Sequence, residues 1–70
     1  MSHRMQAFSN LIIGEMISKE YNDSQEQCEK ALEHLKTASE LYTNNTKVLS
    51  QEEYSRVNLS LSTLYRLQGD

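Results

Sequence analysis

Proline is absent from this sequence and glycine occurs only twice. The chain therefore has few residues that break a helix, and its β-branched residues are scattered, so an all-helical fold is expected. A single cysteine, Cys28, excludes an intrachain disulfide. It falls on an apolar helical stripe and reads as a buried structural thiol, which suits a reducing compartment. Long hydrophobic runs are missing too. The longest, Leu11-Ile12-Ile13, is far too short to span a membrane and lacks the flanks of a secretory signal. Without such a signal, the sequons at Asn22, Asn44 and Asn58 read as chance matches. Nor is there a basic surplus. Lys and Arg number 7 against 10 Asp and Glu, a net charge of −3, with a pI of about 5.3. Nucleic-acid binding usually needs a basic face, and no Lys/Arg run supplies one. A cytoplasmic protein that neither binds nucleic acid nor inserts in a membrane is expected.

The groups that carry chemistry are equally sparse. His3 and His34 have no partners at metal-ligand spacing, His3 falling in an expected frayed start and His34 on a solvated helix face. No Gly-rich phosphate loop and no Ser-His-Asp set can be assembled. Paired catalytic carboxylates need a cleft, which seventy helical residues seldom form. No enzyme activity, cofactor or metal is expected.

What is present is helical periodicity. Cys28, Ala31, Leu32, Leu35, Ala38 and Tyr42 recur at three- and four-residue steps, the stripe of an amphipathic helix. Its two alanines flank Leu35 and would let a neighbouring helix approach closely, so this helix is placed at the centre of a small bundle. Met5, Phe8, Leu11, Ile12 and Met16 give an earlier helix a broad apolar face, widened by Ile13 and Ile17. Gly14 inside it costs up to ~1 kcal/mol unless a close neighbour needs the space. Tyr54, Val57, Leu61, Leu64 and Tyr65 form the stripe of a third helix. The punctuation agrees. Asn22-Asp23-Ser24 is a polar break, with Ser24 and Gln27 at capping-box spacing. Asn44-Asn45 can end the second helix in a left-handed cap. Ser50 to Glu53 is a better capping box, with Leu49 and Tyr54 as a hydrophobic staple, and Gly69 is a natural C′ residue. The expected fold is an all-α, three-helix antiparallel bundle over 1–70, with helices at about 5–21, 25–43 and 51–68.

Two segments resemble the tetratricopeptide repeat, a helix-turn-helix unit of about 34 residues. Ala31, Leu35 and Ala38 followed by Thr43-Asn44-Asn45 are similar to the second helix of a repeat and its stop. Leu61, Ser62, Tyr65, Gly69 and Asp70 are similar to the first helix of the next repeat, and Phe8 and Leu11 to what remains of an earlier first helix. The spacings from Leu11 to Ala31 and from Ala38 to Leu61 exceed those of the family. The resemblance implies a helical hairpin plus one helix, excerpted from a longer helical-repeat array. A weaker resemblance is to the microtubule-interacting-and-trafficking (MIT) domain, through Glu29-Lys30-Ala31-Leu32. Ser60 and Ser62 are the only small residues near the middle of helix three, where that family has an alanine-rich face.

The tetratricopeptide resemblance implies a non-catalytic scaffold or adaptor that binds a protein or peptide partner. Its groove positions would be Gln6, Ser9, Ile13 and Met16 on helix one and Arg56, Leu59, Thr63 and Arg66 on helix three. Helical spacing points to the same side of helix three, because Leu59 projects nearly opposite Leu61 and shares its side with Arg56, Thr63 and Arg66. The open side of that helix also suggests a homo-oligomer. The MIT resemblance implies instead an adaptor for a helical motif of a membrane-trafficking partner. A small helical regulator of transcription is the reading from another class.

Overall fold

The computed structural model describes residues 2–20 and 24–69. They form three helices, α1 (His3–Lys19), α2 (Gln25–Asn44) and α3 (Gln51–Leu67), and contain no strand. The chain is thus an all-α three-helix bundle. α1 begins earlier than its apolar pattern suggests because Ser2 caps it, its Oγ accepting the Met5 N–H at 3.1 Å. His3 and Arg4 therefore belong to the first helical turn rather than to a frayed start. The expected end of this helix at Tyr21 and the polar break at Asn22-Asp23 lie outside the described residues.

Ser24 caps α2 through the Gln27 N–H at 3.4 Å. The other end of α2 corrects the expected left-handed asparagine, since Asn45 is extended at φ −152°. Its side chain explains why. Asn45 Oδ1 accepts the Lys47 N–H at 3.1 Å, and its carbonyl accepts the Val48 N–H at 3.1 Å, so an Asx turn leads out of the helix. The capping box of α3 is complete. Ser50 Oγ accepts the Glu53 N–H at 3.0 Å, and Glu53 Oε1 accepts the Ser50 N–H at 2.8 Å. At the far end Gly69 takes φ +93° and donates its N–H to the Arg66 carbonyl at 3.2 Å, as a C′ glycine does.

α2 and α3 run antiparallel. The Tyr42 and Tyr54 rings stack at 3.9 Å at one end, and Cys28 Sγ lies 3.9 Å from the Leu64 carbonyl at the other. The few residues between α1 and α2 reach only ~3.6 Å each, too short to carry the chain back along a helix, so these two also run antiparallel. α2 packs on both neighbours. Its stripe of Cys28, Ala31, Leu32, Leu35 and Ala38 is buried as its spacing predicts, with Ala31, Leu35 and Ala38 fully inaccessible. Val57 and Leu64 of α3 complete one side. Val48 and Leu49 of the connector close one end, with Tyr54 packed against the core.

α1 departs most from its sequence pattern. Leu11 is buried as its spacing predicts, but the rest of the buried stripe is Ala7 and Gly14, not the larger residues beside them. Met5, Phe8 and Met16 are 58%, 37% and 56% exposed. Tyr65 of α3, expected in its core stripe, is likewise exposed. The reason for α1 is close approach. A Cβ built on Gly14 would lie 2.5 Å from Leu35 Cγ, so only a backbone without a side chain fits there. Ala7 and Gly14, on either side of the buried Leu11, let α1 approach α2 closely; Ile17 packs against the core, and Met5, Phe8 and Met16 are left outside the contact. His34 is also displaced from its expected solvated position. It is half-buried, and its Nδ1 lies 2.8 Å from Asn10 Oδ1 across the α1–α2 seam.

Candidate partner-binding surface

The surface expected to bind a partner is built from the outer residues of α1 and α3. On α3, Arg56, Leu59, Thr63 and Arg66 fall within about 80° of one another around the helix, a single face. Val57 and Leu64 point inward, so this face turns away from the core. Leu59 is 69% exposed, the most exposed of the large apolar side chains among the described residues. Thr63 Oγ1 donates to the Leu59 carbonyl at 3.0 Å and is therefore satisfied within its own helix. Arg66 is exposed and makes no ion pair among the described residues.

Arg56 stands at the edge of this face that borders α1. Its Nε donates to Glu15 Oε2 at 3.0 Å, and a second nitrogen donates to Glu15 Oε1. The Glu15 hydrogen bond raises the guanidinium above its ordinary pKa against a smaller opposing desolvation. A second pair joins the same two helices. Arg4 donates to both Glu53 carboxylate oxygens, at 2.6 and 3.0 Å, and to the Val48 carbonyl at 2.9 Å. Its guanidinium also lies 4.9 Å from the centre of the Phe8 ring. The Arg4 hydrogen bond, followed by the Ser50 N–H, holds the Glu53 carboxyl down at about 2.

These pairs show which flank of α1 meets α3. Arg4 and Glu15 lie within about 20° of each other around α1, and Gln6 and Ile13 lie about 160–180° from Glu15. Gln6, half-buried, and Ser9 and Ile13, both exposed, thus project from the side of α1 that faces away from α3. Met16, 56% exposed, lies between the two flanks. The structure brings Arg56 against α1 but does not gather the eight expected positions into one groove. It presents two outward faces, one on each helix. Arg4, Glu15 and Glu53, which together with Arg56 pair α1 with α3, were absent from the expected site. The only signal in the sequence was that Arg4 and Glu15 share one flank of α1. Nothing in the spacing alone tells which flank of α1 faces α3.

Among the described residues no group of three or more His, Cys, Asp or Glu could hold a metal ion. Among the described residues no helix is long and apolar enough to cross a membrane. No protein-family model, no characterised protein and no solved structure matches the chain.

Proposed function

We propose that this chain is a non-catalytic protein-interaction module of tetratricopeptide-like build. Its main binding surface is the open α3 face of Arg56, Leu59, Thr63 and Arg66, and the outer face of α1 (Gln6, Ser9, Ile13 and Met16) is a second surface. The exposure of Leu59 carries this reading. A large apolar side chain, 69% exposed between two arginines, suits an apolar side chain of a partner. Leu67, 49% exposed, extends the same side of the helix. Glu15 already engages Arg56, so a partner carboxylate would meet Arg66 first. The fitting partner is an amphipathic helix or peptide with an apolar stripe edged by carboxylates, and a second copy of this chain is the simplest candidate.

A titration of the isotope-labelled chain with an amphipathic, glutamate-edged leucine peptide tests this. Saturable amide shifts at Leu59, Thr63 and Arg66, lost in the Leu59→Glu variant, are expected. Shifts that avoid α3, or that survive the substitution, would refute the reading.

A further inference from the structure

A groove of about 420 Å³ opens between α2 and α3, lined by Glu29, Leu32, Glu33, Lys36, Tyr65 and Gln68. Tyr65 lies about 180° around α3 from Arg56, so this groove and the open α3 face are on opposite sides of the helix. Leu32 is buried beneath it, and the Tyr65 ring is 41% exposed. Together they give the groove an apolar base and a flat aromatic wall.

The charges around that base are out of balance. Along the same helix, Glu26 pairs with Lys30 at 3.6 Å. Neither Glu29 nor Glu33 has an ion-pair partner among the described residues. Glu29 accepts the neutral Gln25 amide at 3.3 Å. Lys36, the one cation lining the groove among the described residues, places its Nζ 5.8 Å from the centre of the Tyr65 ring, near the outer limit of a cation–π contact. The groove thus holds a cation over its ring and keeps two carboxylates that this cation does not neutralise. Its size limits the occupant. A space of about 420 Å³ takes one or two side chains of a partner rather than a whole helix.

We propose that the α2–α3 groove docks an extended, arginine-bearing segment of a partner protein, with the guanidinium between the Tyr65 ring and the Glu29 and Glu33 carboxylates and an adjacent apolar side chain over Leu32. Arginine suits this better than lysine, because its plane stacks on the ring while its fork pairs with a carboxylate.

The test uses the full isotope-labelled chain and a blocked arginine-leucine peptide, with the citrulline-leucine peptide as the uncharged control. Saturable shifts at the Leu32, Glu33, Tyr65 and Gln68 amides are expected, with the citrulline peptide about tenfold weaker. Combining Glu29→Gln with Glu33→Gln should weaken binding by a similar factor, and Lys36→Ala should tighten it by vacating the ring. All three side chains are exposed, and an unchanged spectrum of each free variant verifies the fold. Non-saturating shifts, equal binding of citrulline, or indifference to the paired glutamine substitutions would overturn the proposal. So would groove shifts that grow with the concentration of the chain alone, since a second copy would then be the occupant. Shifts centred on Leu59 and Arg66 would support the α3 surface and overturn the groove, so the two readings fail separately.

Discussion

Gly14 and Leu35 share one volume. The position a Gly14 Cβ would take lies 2.5 Å from Leu35 Cγ and 2.8 Å from Leu35 Cδ2. Cγ is not the far end of the leucine, so the clash cannot be relieved by swinging a terminal methyl alone. Gly14→Ala should therefore destabilise the domain by about 1–3 kcal/mol through overpacking, although alanine favours a helix by ~1 kcal/mol over glycine. Urea unfolding of Gly14→Ala, Leu35→Ala and the double variant checks this. The double variant should be more stable than the two single losses add up to, because the smaller side chain at 35 makes room for the methyl. Additive losses would show that the two positions do not compete for space.

Ala38 is fully buried on the central helix. Ala38→Lys should unfold the domain, since it adds bulk and a charge at a site with no room for either. Circular dichroism melting of the variant reads this directly. A melting point within a few degrees of the parent would remove α2 from the centre of the core.

The Arg4–Glu53 pair gives the fold an acid dependence of known sign. The folded-state Glu53 carboxyl sits at about 2, below its ordinary 4.5. A carboxyl depressed by folding contributes stability that is fully present above its unfolded pKa and is lost as pH falls through the folded one. The stability gap between the parent and Arg4→Met should thus be widest above about pH 5 and shrink toward pH 2, followed by urea midpoints. The pair is partly exposed, so the gap should also narrow in high salt. A gap constant across this range would show that Arg4 acts through its contact with the Val48 carbonyl instead.

Leu59 supplies a test of self-association. Sedimentation of the chain at high micromolar concentration should show a dimer or larger species, and Leu59→Glu should return it to monomer while leaving its melting point nearly unchanged. A parent chain that stays monomeric at millimolar concentration would leave the α3 face to a different partner.

The sequence by itself determined the elements and the central helix. The serine caps at 24 and 50 and the C′ glycine at 69 are local signals, and local hydrogen bonds realise each of them. The stripe from Cys28 to Ala38 was legible because α2 is buried along one continuous line, which fixes its periodicity whichever neighbours cover it. α1 was not legible in the same way. Its apolar residues are more numerous than its buried ones, and hydrophobicity alone favours Phe8 and Met16 over Ala7 and Gly14. Only the tertiary structure decided between them, because the choice depends on how closely α2 approaches, and that distance is set by Leu35 filling the space above a missing Cβ. The candidate surface divides likewise. The α3 face followed from helical spacing on a single element, whereas its relation to α1 depended on two long-range ion pairs, Arg4–Glu53 and Glu15–Arg56. The α2–α3 groove joins residues from the start of one helix to the end of another. Such proximity is a property of antiparallel packing, which spacing within either helix does not encode.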